Sequence, residues 1–460
     1  MIRNVISVID GAAGSCGKAK VIGEIATDKS INLGAAVTNC MPNAGHTFVD
    51  EDGYCTVFRN IPVSSVNPNT ELFIGPGSAI DMEVFMDEYE RVKPYLNGRK
   101  IYVHEMVPLI EERHKNWERR HIRSGSTFKG CGAVTQEKVV RDAKLQFFKD
   151  FKDAIVCSND EWLDRLYTHL DNPYEYTILE GAQGCDLSLN HSGNYPYVTS
   201  RNVSTTQLLA DSGISPERLL QTIMVIRPFP IRISNSTELG KTINSGGYGS
   251  ARELTWSEVN FASAYGWYPS QGLVRDFKKD YSLNTVKKFY KSCPRTYYEQ
   301  IFGPNYKTIK LEDITIEQAL ELERLTYKSQ GEYMYESEFV DMPVLKWSMV
   351  EGGACMIDQS EETTVTKRER RIFDLDIDKL KNNCRINTPS NLYLNFFQHI
   401  EYDCEGLSCN FEEYDIGRAA EEYINWLEWK TDLDISVLGT GPRNGDRILR
   451  YKLIKDIERR

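Results

Sequence analysis

No Cys-x-x-Cys pair occurs in the 460 residues, although the chain holds eleven cysteines. The closest spacing is Cys404 to Cys409, and no histidine is placed to complete a zinc set. Scattered thiols in odd number argue against a disulfide framework and point to a reducing compartment. Apolar runs are short. The one that follows Met1-Ile2-Arg3-Asn4 ends at Asp10, too soon for a signal-peptide core, and nothing later reaches membrane-spanning length. Positive excess is missing too. A formal net charge of −11 excludes a general nucleic-acid backbone binder, though not local basic pockets for small phosphorylated ligands. With 41% hydrophobic and 26% charged residues, and no repeat or low-complexity tract, what remains is an ordinary globular protein with a large core. It is expected in the cytoplasm, with neither nucleic acid nor membrane as partner.

What is present is a recurring pattern of short apolar runs that end in small-residue turns. Val5 to Ile9 leads into the first glycine segment, and Leu72–Ile74 precedes Gly75-Pro76-Gly77. Ile101–Val103, Tyr176–Leu179 before Gly181-Ala182-Gln183-Gly184, Ile223–Ile226, and Ile435–Leu438 before Gly439-Thr440-Gly441-Pro442 repeat it. Helical patterns lie between them, as over Met82–Val92 and Glu111–Arg120. Such alternation predicts an α/β fold with a large, mostly parallel central sheet and ligand loops at the strand ends. Residues 267–359 differ: they are rich in tyrosine, lysine and glutamate and poor in glycine loops, with Thr315 and Gln318 spaced as a capping box. They read as an inserted subdomain, with 1–266 and 360–460 forming the catalytic domain.

Five segments carry candidate chemistry. Gly11-Ala12-Ala13-Gly14-Ser15-Cys16-Gly17-Lys18 follows a strand, which is how backbone amides and a lysine are brought round phosphates. It is not a Walker A loop, since position 12 is alanine and Lys18 is followed by alanine; alone, it reads equally as a tight strand-to-helix turn. Pro42-Asn43-Ala44-Gly45-His46-Thr47 offers a histidine that could as well be structural. Gly125-Ser126-Thr127-Phe128-Lys129-Gly130 supplies hydroxyls and amides, with Lys138 and Arg141 placed on a following helix. Glu180-Gly181-Ala182-Gln183-Gly184 is followed by Tyr195-Pro196-Tyr197-Val198-Thr199-Ser200. Last comes Thr363-Thr364-Val365-Thr366-Lys367-Arg368-Glu369-Arg370-Arg371, either a solvated basic run or guanidinium forks for a dicarboxylate or phosphate.

Taken in order, these segments resemble the adenylosuccinate synthetase family over most of the chain outside the insertion. The resemblance implies a P-loop-NTPase-like adenylosuccinate synthetase fold and a C–N ligase. In that family the γ-phosphate of a nucleotide passes to the purine 6-oxygen, and the amine of L-aspartate then displaces it. It implies that His46 stabilises charge on the 6-oxygen as a general acid and that Gln183 holds the activated 6-position. Lys18, with Gly14, Gly17 and Thr47, is implied in phosphate binding, and the Gly45 carbonyl in contact with Mg²⁺. Asn43, Thr127 and Thr199 match purine-nucleotide contacts. Arg141 matches an arginine that completes the neighbouring subunit's site, implying a homodimer. Thr366, Arg368 and Arg370 match the aspartate loop, and Gly441 and Pro442 a turn beside the donor nucleotide.

Two departures redirect the substrate. Where the family has an aspartate that takes the purine N1 proton, this chain has Ser15. A serine of ordinary pKa is no general base, a loss worth roughly 10²–10⁴ in rate; yet it opens space beside purine position 2 for an amino group and offers it a hydroxyl. A buried amino group left unpartnered would cost about 1–3 kcal/mol. Where the family reads guanine with Leu-Thr-Lys-Leu-Asp, the chain has Leu394-Asn395-Phe396-Phe397-Gln398. The Gln398 amide suits the N6 and N7 edge of adenine, and Phe396 offers a stacking face. Both changes look like those of the phage-type branch, the 2-aminoadenylosuccinate synthetases, which implies dGMP, L-aspartate and ATP or dATP as substrates and the host cytoplasm as location. The competing readings are an ordinary family member using IMP and GTP, and a non-catalytic nucleotide-binding regulator.

Overall fold

A computed structural model describes residues 1–122, 126–238, 241–254, 256, 259, 263, 346–350, 353–357, 361 and 370–459. The chain divides into two compact units, Met1–Leu254 with Ser360–Arg460, and Thr255–Gln359. The described part of the second unit contains a hairpin, Lys346–Val350 paired antiparallel with Gly353–Ile357. The expected capping box at Thr315 and Gln318 lies outside the described residues.

The first unit is built on an eleven-stranded sheet. Across it the strands run Cys409–Asn410, Arg447–Leu449, Ile435–Gly439, Asn391–Leu394, Leu219–Ile226, Val5–Asp10, Tyr176–Glu180, Leu33–Thr38, Glu71–Ile74, Ile101–His104 and Ala154–Cys157. All neighbours pair parallel except Ile435–Gly439 with Arg447–Leu449. Val5–Asp10 is the central strand and is buried along its whole length. Its apolar run, interrupted only by Ser7 before it ends at Asp10, is what a strand covered on both faces requires.

The described helices of this unit are α1 (Lys18–Thr27), α2 (Met82–Leu96), α3 (Glu112–His121), α4 (Cys131–Val140), α5 (Asn159–Leu170), α6 (Thr205–Asp211), α7 (Ile377–Asn387) and α8 (Arg418–Thr431). Alternate strand residues face different helices. Val5, Ala35, Val37, Phe73 and Leu179 pack with Trp162, Leu166 and Leu170 of α5. Ile6, Val8, Ala36, Leu72 and Ile178 pack with Val21, Ile22 and Ile25 of α1 and with Phe85, Tyr89 and Val92 of α2. Helix α2 starts because the Asp81 carboxylate accepts the Glu83 and Val84 amides, and it ends at Asn97 in the left-handed region. Its buried residues, Phe85, Glu88, Tyr89, Val92 and Leu96, repeat at helical spacing. Leu166→Ala on α5, fully buried in that layer, would cost about 2–5 kcal/mol. Among the described residues, no helix is long and apolar enough to cross a membrane.

The strands converge on one edge. Asp10, Thr38, Glu180, Ile226 and Leu394 close five neighbouring parallel strands. The chain moves to one side of the central strand through Leu33–Thr38 and to the other through Leu219–Ile226. Loops leaving the carboxyl ends at such a reversal enclose a crevice.

Candidate active site

The glycine loop is wound around a carboxylate that ends the central strand. Asp10 is fully buried. Its Oδ1 accepts the amides of Ala12 at 3.0 Å and Gly14 at 3.3 Å. Its Oδ2 accepts the Cys16 amide at 2.9 Å and lies 3.3 Å from Lys18 Nζ. Three residues adopt left-handed backbone to make the turn: Gly14 (φ 98), Ser15 (φ 57) and Gly17 (φ 85). Alternate amides therefore point inward. Those of Ala13, Ser15 and Gly17 take no hydrogen-bond partner among the described residues, and amides left over at such a turn suit an anion. Gly17 is the N-cap of α1, which begins at Lys18. Ser15 is exposed.

Lys18 is buried and also donates to the Gln183 carbonyl at 2.7 Å. The Gln183 loop reaches that lysine because Gly184 allows backbone to touch backbone. A Cβ there would stand 2.1 Å from the Ala12 carbonyl oxygen and 2.2 Å from the Gly14 nitrogen. Gln183 itself has φ 64 and is half-buried. Glu180, in the same motif, is a buttress: its carboxylate accepts the Val63 and Ser64 amides and the Ser64 hydroxyl. Burial pushes its carboxyl up to about 7.

His46 opens the strand His46–Val49, paired antiparallel with Cys55–Phe58. Burial, with Lys18 as the next contributor, pushes its imidazole down to about 3. The ring is thus neutral near pH 7, a hydrogen-bond donor rather than a source of a full proton. Cys40 Sγ lies 3.5 Å from His46 Nε2, a thiol contact that no sequence pattern announced. The preceding loop is held by Asn60, whose side chain donates to the Cys40 carbonyl at 2.8 Å, and by Arg59, which donates to the Pro42 carbonyl at 3.0 Å. Gly45 is exposed and Thr47 half-buried. Asn444 ties this strand to the loop containing Gly441 and the exposed Pro442, its amide donating to the Val49 carbonyl at 2.7 Å.

The three expected purine-nucleotide loops meet at the start of α4. The Asn43 backbone lies beside the Cys131 thiol. A Cβ on Gly132 would come 3.6 Å from that of Ser200, the neighbour of Thr199. Thr127 lies three positions before the N-cap Gly130. The Glu118 carboxylate accepts the Gly130 and Gly132 amides at 2.8 and 2.7 Å and so pins the helix start. Arg141 departs from expectation. It is not on the helix but is its C-cap, exposed, with φ 62. A left-handed cap ends the helix at Val140 and turns the arginine away from it.

Around the donor side, Asn395 wedges between two loops. It donates to the Cys16 carbonyl at 3.1 Å, and its side chain occupies the space a Cβ would need at both Gly17 and Gly439. Phe396 sits beside Gly17, but the Arg227 guanidinium lies 4.0 Å over its ring, so one face is already covered. Gln398 is half-buried in the turn Phe397–His399. Arg370 lies 3.3 Å from Glu361 Oε2, and Glu361 also pairs with Arg227. Thr366 and Arg368 lie outside the described residues. Sequence reasoning missed Asp10, Arg227, Glu361 and Asn395; the one available signal was that Asp10 and Arg227 stand at the carboxyl ends of neighbouring parallel strands.

The site can therefore hold phosphates on a turn with a lysine beneath it, and offer a neutral imidazole and an amide side chain to a reacting oxygen. Comparison with known proteins bears on whose site it is. The family model for adenylosuccinate synthetase matches residues 8–153 and 144–245. The chain belongs to the adenylosuccinate synthetase family. Relatives include the N6-succino-2-amino-2'-deoxyadenylate synthases of Cyanophage S-2L and Vibrio phage phiVC8. The first is 31% identical over 255 residues, 52% of this chain and 67% of the relative. The second is 33% identical over 270 residues, 56% of this chain and 74% of the relative. The adenylosuccinate synthetase of Pyrococcus horikoshii is 31% identical over 235 residues, 50% of this chain and 66% of the relative.

Two solved structures of this family share the fold. The Cyanophage S-2L succinoaminodeoxyadenylate synthetase, bound to dGMP and to dATP as an energy donor, superposes with TM-score 0.64 at 22% identity, covering 98% of this chain and 96% of that one. The fully ligated adenylosuccinate synthetase of Plasmodium falciparum gives 0.61 at 14% identity, covering 97% and 100%.

Proposed function

We propose that this chain is a ligase that joins L-aspartate to position 6 of dGMP, with ATP or dATP as phosphate donor, giving 2-amino-deoxyadenylosuccinate. The carrying observation is Ser15: an exposed, uncharged side chain on the glycine loop that also carries Lys18, where the resemblance gives ordinary adenylosuccinate synthetases an aspartate. The similarity to two phage synthases of that product supports the same reading.

The γ-phosphate passes to the purine 6-oxygen, and the aspartate amine then attacks C6 as phosphate leaves and a proton is lost. Lys18 and the Ala13, Ser15 and Gly17 amides receive the transferred phosphoryl group, concentrating positive charge where negative charge develops. Neutral His46 donates a hydrogen bond to the 6-oxygen, which needs a donor and not a cation. Gln183 positions the 6-phosphoryl group. Asn43, Thr127 and Thr199 hold the purine nucleotide at the start of α4. Arg370, with Thr366 and Arg368, holds the aspartate carboxylates. Phe396 offers its remaining face, and Gln398 its amide, to adenine.

No group of three His, Cys, Asp or Glu comes together among the described residues, and the four acceptor contacts of Asp10 are taken. What remains would suit a Mg²⁺ ion carried mainly by nucleotide phosphates and water, as magnesium commonly binds, and the exposed Gly45 would hold it through its carbonyl. It would supply charge neutralisation on the phosphates. Arg141, exposed at the end of α4, completes the site of a second copy in a homodimer.

Steady-state phosphate release decides the substrates. Release is expected to require a purine monophosphate and L-aspartate together, with kcat/KM higher for dGMP than for IMP and for ATP than for GTP. Preference for IMP would overturn the substrate, and release independent of aspartate would overturn the ligase.

A further inference from the structure

Arg227 follows the last residue of the strand Leu219–Ile226, and its side chain is fully buried. Four contacts surround the guanidinium. Nη1 donates to the Ser15 carbonyl at 3.1 Å and to Glu361 Oε2 at 3.2 Å. Nη2 donates to Glu361 Oε1. The plane covers the Phe396 ring at 4.0 Å. Glu361 in turn holds Arg370, the described member of the proposed aspartate set. Its backbone carbonyl accepts the Arg370 amide at 2.8 Å, and its Oε2 lies 3.3 Å from Arg370 Nη1.

One carboxylate thus serves two arginines, of which one is sealed from water. Removing Glu361 from Arg227 would strand a buried cation, which is far costlier than losing an exposed pair. Glu361 is therefore a fixed counter-ion and not a stand-in that incoming aspartate displaces. Because Arg227 also grips the Ser15 carbonyl, the far end of the ion pair is the loop that receives phosphate.

We propose that Arg227 and Glu361 form a clasp that fixes Arg370 to the phosphate loop, making both of them positioning residues for aspartate although neither is in the proposed aspartate contact set. The inference rests on the ligase reading given above. Its consequence is that Arg370 is set in place by the loop that holds the phosphoryl group, so a change at the clasp is felt by a substrate it does not touch. Phe396, stacked on the same guanidinium, brings the donor-base loop into the clasp.

The test compares wild type with Arg227→Met, Glu361→Gln and the double variant Arg227→Met/Glu361→Met, measuring KM for L-aspartate and for dGMP, kcat and Tm. Each single variant is expected to raise KM for aspartate by about ten-fold or more, and Glu361→Gln, which leaves the Arg227–Ser15 contact in place, is expected to keep KM for dGMP within about two-fold. The double variant removes both charges, so its Tm returns towards wild type while KM for aspartate stays high; it also serves where a single variant does not fold. An unchanged or lowered KM for aspartate in the single variants would overturn the clasp, as would its recovery together with Tm in the double variant. Wild-type enzyme that shows no aspartate-dependent phosphate release would sink the ligase reading and the clasp with it. Active wild type with unaltered variants would sink the clasp alone.

Discussion

Asp10→Asn is the sharpest perturbation of the phosphate loop, because the two carboxylate oxygens have separate duties. Oδ1 serves the Ala12 and Gly14 amides, and Oδ2 serves the Cys16 amide and Lys18. An asparagine can keep the first pair with its carbonyl. Its NH2 group then replaces Oδ2 and points donors at the Cys16 N–H and the Lys18 ammonium. Hydrogen bonds to a charged group contribute about 1.5–3 kcal/mol each, and breaking a buried ion pair from one side costs about 3–5 kcal/mol. These overlap, so the loop is expected to lose about 3–5 kcal/mol of local stability rather than their sum. Hydrogen exchange read by mass spectrometry on a peptide spanning residues 10–18 measures that loss in the native protein. Protection is expected to fall by about two to four orders of magnitude, at about 1.4 kcal/mol per decade. Exchange indistinguishable from wild type would refute the account of the loop as wound on Asp10.

Three further outcomes follow from the site. Ser15→Asp is expected to lower kcat/KM for dGMP by about 5- to 150-fold, the range set by about 1–3 kcal/mol of overpacking; unchanged dGMP turnover would remove the space argument. Mixing inactive Arg141→Leu with inactive His46→Asn is expected to restore activity to about a quarter of wild type, since random exchange in a two-fold dimer gives that share of intact sites. No recovery after verified subunit exchange would count against a shared site. For His46, the folded protein holds the imidazole at about 3, below its ordinary 6.5, so the unfolded chain binds more protons in between. Its contribution is complete above about pH 6.5 and is lost as pH falls towards 3, by up to about 1.4 kcal/mol per pH unit. His399 and the raised carboxyls of Glu88 and Glu180 also titrate, so the measurement is the difference between wild type and His46→Asn. Tm should fall more steeply for wild type on acidification from about pH 6.5 to 4, and parallel curves would contradict the burial argument.

The strands legible in the sequence are those whose local pattern matches their environment. Val5–Asp10, Tyr176–Glu180 and Ile435–Gly439 are apolar runs that end at glycine loops, and each lies within the large sheet. Leu33–Thr38 passed unnoticed because its sequence, Leu-Gly-Ala-Ala-Val-Thr, is built from small residues, chosen for close packing between neighbours rather than for strand propensity. Asn391–Leu394 and Ala154–Cys157 went unread as well, and neither ends at a glycine turn. In the site, the loops could be read from glycine and the charged residues beside it, since those act within a few positions. Asp10 could not, because a single aspartate after a strand carries no mark of the three amides that will close on it. Arg227 and Glu361 stand 134 residues apart, and only the folded chain makes them one group.

That division bears on Ser15. Serine is a poorer resident of left-handed backbone than aspartate or asparagine, yet it holds φ 57 here. Local preference therefore does not account for serine at this position. The loop keeps its shape because Asp10 fixes the amides on either side, at Gly14 and Cys16, while Arg227 holds the Ser15 carbonyl. With the backbone determined from outside, residue 15 is free to change its chemistry without changing the turn. Restoring a carboxylate in Ser15→Asp should then leave the loop's hydrogen exchange as it is, or slow it slightly, while dGMP turnover falls. A loss of dGMP turnover accompanied by faster exchange would mean that the loop itself had been disturbed, and the substrate argument would lose its support.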